Sequence, residues 1–113
     1  MPFIRVSANV AVNESQAERV KTMLGQAIEV IPGKSEAWLM VEVEGEKALW
    51  MAGSDAPAAI AEVSVYGGAD GADYRQLTGR VCDILDSVLD IPSGRVYVKY
   101  AETEHWGWNG SNF

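Results

Sequence analysis

The amino-acid sequence predicts an α/β fold of the α+β kind: a tandem βαβ repeat, written βαββαβ, that forms a four-stranded sheet with two helices on one face. Three observations predict it. A length of 113 residues suits one domain, 1–113, with one hydrophobic core. Strand-like and helix-like segments alternate along the chain. An Ile-Pro pair ends a helix-like segment twice, at 31–32 and at 91–92, which indicates an internal repeat.

The first half of the chain contains a strand, a helix and a second strand. Residues 2–8 alternate loosely between apolar and polar and predict a strand. Asn13 and Gln16 have the spacing of a capping pair, and the amphipathic helix that they begin is ended by Pro32-Gly33. An apolar strand is expected over 37–44, followed by a short strand around 48–52.

The second half repeats this order. Residues 58–66 predict a strand closed by two glycines, a second amphipathic helix ends at Ile91-Pro92, and 95–100 predict the last strand. Two such units can join edge to edge with both helices on one face of the sheet. The other face is then expected to carry apolar side chains, which favours an oligomer over a monomer with an exposed patch.

Charge and composition exclude several functions. The formal net charge of −7 argues against a nucleic-acid partner, because such partners select clustered Lys and Arg. No basic amphipathic helix indicates a membrane surface. The single cysteine, Cys82, excludes an intrachain disulfide and is expected to be a buried, inert thiol. Without a signal segment or a membrane-spanning run, the expected location is the cytoplasm, and secretion would need an unconventional route.

Pro2 is the unusual chemical group in a sequence without a nucleophile elbow, a phosphate-binding loop or a metal-spaced histidine pair. Removal of Met1 would expose a secondary amine at the start of a strand. Burial or a neighbouring cation lowers the pKa of such an amine, which makes it a competent general base near neutral pH. The pattern alone leaves open that Met-Pro has no function. His105 is expected to be a surface or rim residue.

Five short segments together resemble the macrophage migration inhibitory factor family from end to end: Met1–Ile4, Gly33-Lys34, Gly53–Ala58, Arg95–Val98 and Gly107–Phe113. Their order, their spacing and the total length all agree with the family. The resemblance implies a homotrimer in which the sheets line a central barrel. It also implies keto-enol tautomerisation of aromatic α-keto acids such as phenylpyruvate, and of dopachrome-like substrates, with no metal or organic cofactor.

The resemblance also implies roles for single residues. Pro2 would be the general base, and Lys34 would bind the substrate carboxylate and help to keep the Pro2 amine neutral. Tyr97 would reach the pocket from a neighbouring protomer, while the tryptophans near the C-terminus would stack on an aromatic substrate. The substrate-binding positions implied in this way are Lys34, Tyr66, Tyr97, Lys99, Trp106 and Trp108.

The sequence departs from the family pattern at two places. Lys99 stands where mammalian members have Asn, so a second cation either lies near the carboxylate or points to solvent. Residues 58–61, Ala-Ala-Ile-Ala, replace a Cys-x-x-Cys motif, so no dithiol exchange is expected there. Two other functions remain open: a cytokine-like ligand of a cell-surface receptor, and hydration or dehalogenation on the same base, for which Arg5 is the nearest candidate arginine.

Overall fold

Each half of the chain folds as a strand, a helix and a second, parallel strand in the computed structural model, which describes all 113 residues. Short 3₁₀ turns join several of these elements. In chain order the strands and helices are β1 (Pro2–Ala8), α1 (Glu14–Ala27), β2 (Met40–Glu44), β3 (Ala59–Tyr66), α2 (Gly71–Leu89), β4 (Val96–Thr103), β5 (Gly107–Trp108) and β6 (Ser111–Asn112).

The main sheet has four strands in the order β2-β1-β3-β4. The pairs β1/β2 and β3/β4 are parallel, and the two halves meet along the antiparallel pair β1/β3. The predicted fold class and the two joined βαβ units are therefore confirmed. Because β1 and β3 run in opposite directions, the start of β1 lies beside the end of β3. That arrangement places the N-terminus at one end of the sheet.

Local sequence signals explain where the helices begin and end. The Asn13 side chain accepts a hydrogen bond from the Gln16 N–H at 2.8 Å, and the Gln16 side chain accepts from the Asn13 N–H at 3.0 Å. This reciprocal pair is the predicted capping box. Helix α2 ends at Leu89 and is followed by the C-cap residue Asp90, whose φ of 57° is left-handed, and the Ile91 N–H donates to the Leu85 carbonyl at 3.2 Å.

One cluster of 20 buried apolar residues fills the space between the sheet and the two helices. The strands contribute every second residue, as in Ile4, Val6 and Ala8 of β1, because successive side chains point to opposite faces. Leu24 of α1 and Leu77 of α2 are both fully buried against them. Neither helix combines the length and apolar composition needed to cross a bilayer.

One predicted strand begins later than expected, and another predicted strand is absent. Residues Glu36–Trp38 form a 3₁₀ turn, and β2 begins only at Met40, which pairs with Phe3. The preceding residue of β1 is Pro2, whose nitrogen has no hydrogen to donate, so the ladder does not extend further. The short strand expected around 48–52 is also absent, and 45–58 is a loop with a single isolated bridge between Met51 and Ser54.

The loop 45–58 (called the bridging loop below) folds by turn chemistry that strand periodicity does not reveal. Ala52 and Gly53 have φ values of 52° and 74°, which reverse the chain direction. Arg95 donates to the carbonyls of Met51, Ser54, Ala56 and Pro57 at 2.8–3.2 Å. The side-chain amide of Asn9 donates to the carbonyls of Leu49, Asp55 and Ala56. These bonds fix the loop against the start of β3.

The sheet face that the helices leave uncovered (the open face) is not uniformly apolar, so that expectation is wrong for its middle. Glu42, Arg5, Glu62 and Lys99 are register partners across the four strands and form a row of alternating charge. Arg5 Nε lies 2.5 Å from a Glu42 carboxylate oxygen, and Arg5 Nη1 lies 3.8 Å from Glu62. Large apolar side chains are confined to the two ends of this face.

Candidate active site

A cavity of about 920 Å³ opens at the end of the sheet where β1 begins. Its walls come from the first residues of β1, the 3₁₀ turn before β2, the last residues of β4 and the C-terminal hairpin β5–β6. Nine of the thirteen lining residues are hydrophobic, so the cavity suits a ligand with an apolar or aromatic part.

The chain terminus is held at this cavity. The Tyr66 N–H donates to the Met1 carbonyl at 2.9 Å, and Pro2 is buried beside it. Partial burial lowers the pKa of the Met1 terminal amine from its ordinary value of 8.0, and the charge and hydrogen bond of Lys34 lower that pKa further. With Met1 attached, the Pro2 nitrogen belongs to an amide and has no basicity. The free amine in this structure is therefore that of Met1.

Lys34 reaches the terminus from the turn that follows α1. Gly33 has a φ of 80°, a conformation that glycine adopts without strain, and the Lys34 N–H then donates to the Ile31 carbonyl at 3.1 Å. The Lys34 ammonium donates to the backbone carbonyl of Tyr66 at 3.0 Å. One residue, Tyr66, thus holds both the chain terminus and the lysine.

Four aromatic rings form a wall beside the cavity. Trp38 and Trp108 meet edge to face with ring centroids 5.1 Å apart, and Trp108 stacks on Phe113 at 6.0 Å. Tyr66 lies 5.7 Å from Phe113. Trp38, Trp108 and Phe113 are each about half exposed. Rings that remain partly exposed at such a wall can stack on the ring of an aromatic ligand.

The C-terminal hairpin was not predicted. It positions two rings of this wall, those of Trp108 and Phe113. Asn109 and Gly110 have φ values of 53° and 80°, and the chain reverses between Trp108 and Ser111. An Asn-Gly pair is a strong sequence signal for such a two-residue turn, so the sequence did contain the information. Sequence reasoning also missed Trp38 at the cavity, because it assigned this residue to a strand.

The structure gathers most of the predicted site residues at this end of the sheet. Pro2, Trp106 and Trp108 line the cavity, and Lys34 and Tyr66 lie next to the terminus. His105 is exposed, as expected, and its N–H donates to the Thr103 hydroxyl. No group of three or more His, Cys, Asp or Glu side chains is placed to hold a metal ion.

Tyr97 and Lys99 lie elsewhere within the protomer. Tyr97 pairs with Ile60 near the start of β3, whereas Pro2 pairs with Val65 near its end. The two positions are roughly 16 Å apart along the sheet. Tyr97 is 63% exposed and lines a small cavity of about 210 Å³ beside Trp50, which is 64% exposed. Within one chain, Tyr97 does not contact Pro2.

Two further sequence expectations concern residues outside the cavity. Arg5 lies on the open face between Glu42 and Glu62, so it is engaged in ion pairs rather than placed in the cavity. Cys82 packs against the core on α2 and is partly buried, which raises the pKa of its thiol. A raised pKa leaves little of the reactive thiolate, but the side chain is only partly buried, so the expected full burial is wrong.

The fold and the cavity define a class of protein: a tandem βαβ protomer whose apolar cavity gathers the terminal amine, a lysine and several aromatic rings. The family model of macrophage migration inhibitory factor (MIF) matches residues 1–113, and the chain belongs to this family. Membership supports a function in the tautomerase superfamily or a cytokine-like function, and the homologues suggest an isomerase of the tautomerase type.

Individual relatives are similar along their whole length. Macrophage migration inhibitory factor of Xenopus laevis is 27% identical over all of this chain and 99% of its own. The homolog from Trichuris trichiura is 28% identical over the full length of both chains. The crystal structure of Leishmania major MIF2 superimposes with a TM-score of 0.94 at 29% identity and covers 100% of this chain and 97% of that one. The homologue from Prochlorococcus marinus gives a TM-score of 0.89 at 26% identity, covering 98% of each chain.

Proposed function

We propose that this protein is a cofactor-independent keto-enol tautomerase that acts on phenylpyruvate-type α-keto acids and dopachrome-like substrates. Its general base is the Pro2 amine, freed by removal of Met1. One observation carries the proposal: a terminal amine with a lowered pKa lies beside a lysine at an apolar, aromatic-walled cavity. The same surroundings would act on the Pro2 amine once Met1 is removed.

The reaction requires a base and no redox partner. The neutral Pro2 nitrogen takes a proton from the carbon next to the substrate carbonyl, and the electron pair of that C–H bond moves into the new C=C bond. The π electrons of the carbonyl move onto its oxygen, which receives the proton back from the Pro2 ammonium and becomes the enol hydroxyl, so that the base is regenerated. The reverse reaction follows the same path. The substrate neither gains nor loses electrons overall, so the chemistry needs only an amine that is neutral at the working pH.

Lys34 supplies the charge complement for an α-keto acid. Its ammonium lies beside the terminal amine, where it can pair with the substrate carboxylate and also disfavour protonation of the base. The rings of Trp106 and Trp108 at the cavity offer stacking area for the aromatic part of the substrate. The backbone carbonyl of Tyr66 accepts a hydrogen bond from the Lys34 ammonium and so holds Lys34 in place.

We further propose that the site is completed in a homotrimer. Tyr97 is exposed and lies far from Pro2 of its own chain, so it can serve a cavity only on a neighbouring protomer. Trp50 beside it and Met40 at the other end of the open face are also largely exposed, as expected of surfaces that pack against a second copy. Lys99 is placed on the same face as Tyr97, and its role depends on that assembly.

The direct test is phenylpyruvate tautomerisation, followed in the ultraviolet, on protein whose N-terminus has been checked by mass spectrometry. Processed protein is expected to turn over, whereas protein that retains Met1 is expected to be inactive because its Pro2 nitrogen is acylated. Absence of turnover in processed protein with a free Pro2 amine would contradict the proposal.

The alternative is a cytokine-like ligand of a cell-surface receptor with a vestigial pocket. The names of the curated relatives favour it, since they are called macrophage migration inhibitory factors. The Pro2→Gly variant separates the two functions. It is expected to abolish turnover while leaving receptor binding intact, unless the pocket itself is the docking surface.

A further inference from the structure

The turn between β3 and α2 closes around the carboxylate of Glu102, a residue of β4. The Gly67 N–H donates to the Thr103 carbonyl at 2.9 Å, and the Ala69 N–H donates to Glu102 Oε2 at 3.3 Å. At Gly68 the backbone passes so close to this carboxylate that a Cβ atom would overlap it. The turn therefore packs directly against this carboxylate, which would have to move to admit a side chain at position 68.

Tyr74 fastens the same carboxylate to the first turns of α2. Its hydroxyl donates to Glu102 Oε2 at 2.6 Å, a short, charge-assisted bond. Burial, together with the hydrogen bond to Glu102, raises the pKa of Tyr74 to about 12, so the hydroxyl remains a donor at neutral pH. The Tyr74 ring packs on Tyr100 at 4.5 Å, and the Tyr100 hydroxyl donates to the Tyr74 carbonyl at 2.9 Å.

This turn begins directly after Tyr66, which holds the groups around the proposed base. The Tyr66 carbonyl accepts from the Lys34 ammonium, a bond that does not involve Met1, whereas the Tyr66 N–H bond to the Met1 carbonyl exists only while Met1 is attached. Ala101 and Thr103 line the cavity, whereas Glu102 between them points to the opposite face of the sheet. The Glu102 carboxylate therefore cannot touch a ligand in the cavity and can act only through the turn.

We infer that Glu102 and Tyr74 are positioning residues: by clamping the turn after β3, they hold the Tyr66 carbonyl where it keeps the Lys34 ammonium beside the terminal amine. The kinetic part of this inference rests on the proposed tautomerase function. Its electrostatic part does not, because the pKa of the terminal amine can be measured without any turnover.

The test uses full-length processed protein and four variants. Tyr74→Phe removes the donated hydrogen bond and keeps the ring, and Glu102→Ala removes the acceptor of both bonds. Glu102→Gln keeps an acceptor oxygen and should rescue most of the effect. Thr78→Val is the matched control, because Thr78 of α2 forms a hydrogen bond of 2.7 Å with the hydroxyl of Tyr100 on β4 but does not contact the turn.

Loss of the clamp is expected to raise the KM for phenylpyruvate about threefold in Tyr74→Phe and Glu102→Ala, the size expected for one partly exposed hydrogen bond. The kcat at alkaline pH should stay unchanged, because the base itself is untouched. The pKa of the terminal amine should rise, since a displaced Lys34 lowers it less. Nuclear magnetic resonance of ¹⁵N-proline-labelled protein measures that pKa directly.

Each outcome decides the inference. Unchanged amine pKa and KM in Tyr74→Phe and Glu102→Ala would overturn it, and so would equal changes in Thr78→Val, which would indicate general loosening of α2. If one variant does not fold by circular dichroism, the other still gives the answer. If no protein turns over phenylpyruvate but the amine pKa rises as expected, the tautomerase proposal fails and the positioning role stands.

Discussion

The two ends of the four-stranded sheet are built alike, yet only one of them holds a large cavity. At one end β1 begins beside the end of β3, and at the other β3 begins beside the end of β1. Before β3 the chain continues into the bridging loop, which Arg95 and Asn9 fix by hydrogen bonds to its carbonyls. Beside the start of β1, a cavity of about 920 Å³ is lined by Met1, Pro2 and Phe3 among other residues.

The two ends therefore differ in cavity size and in the side chains that surround them. The end covered by the bridging loop has its backbone carbonyls satisfied by side chains and leaves only a small cavity of about 210 Å³. At the other end, the terminal amine lies beside Lys34, and aromatic rings form a wall beside the cavity.

Replacement of the base is expected to have the largest effect. In Pro2→Gly, turnover of phenylpyruvate should fall about 100-fold or more in kcat/KM, because general-base catalysis contributes roughly that much. The unfolding midpoint should change far less than the activity, which circular dichroism checks. Full activity in this variant would show that Pro2 is not the general base.

Removal of the Arg95 side chain, at the opposite end of the sheet, should lower the stability of the protein and leave its catalytic activity unchanged. Arg95→Ala breaks hydrogen bonds to four loop carbonyls and is expected to lower the free energy of unfolding by about 2 kcal/mol. Urea denaturation measures this loss, and Arg75→Ala, at an exposed arginine of α2, is the matched control. A stability unchanged relative to that control would mean that the bridging loop is held by other contacts.

Loss of the lysine should weaken substrate binding and shift the pH profile. In Lys34→Met, the KM for phenylpyruvate should rise about tenfold, the cost of roughly one ion pair at a partly buried site. The neutral amine is the active form, so activity rises with pH through the amine pKa. Because Lys34 lowers that pKa, its removal should move the acid limb of kcat/KM to higher pH. An acid limb at unchanged pH would show that Lys34 does not influence the pKa of the Pro2 amine.

The Tyr97→Ala variant tests whether Tyr97 of one protomer lies at the cavity of a neighbouring protomer. If a homotrimer brings Tyr97 to the cavity of a neighbouring protomer, Tyr97→Ala should raise the KM about threefold, as expected for lost stacking at a partly exposed site. Analytical ultracentrifugation of the same variant reports whether the trimer persists. A KM unchanged in a protein that is still trimeric would remove Tyr97 from the site.

Periodicity and caps predicted the elements well, because these signals are local. The capping box at Asn13 and the fully buried positions Val20 and Leu24 of α1 appear where the sequence places them. The errors fall where turn chemistry overrides apolar composition. Ala52, with a φ of 52°, breaks an expected strand, and Trp38 lies in a 3₁₀ turn although its neighbours are apolar.

Local sequence signals predicted the two βαβ units, and the family resemblance pointed to most residues of the candidate site, including Pro2 and Lys34. Only the tertiary structure decided that Tyr66 holds Lys34, that Trp38 joins the aromatic wall, and that Tyr97 lies at the far end of the sheet. The difference arises from the separation of the interacting residues along the sequence. Caps and periodicity involve residues a few positions apart, whereas these contacts join residues about 30 or more apart that meet only when strands pair in register.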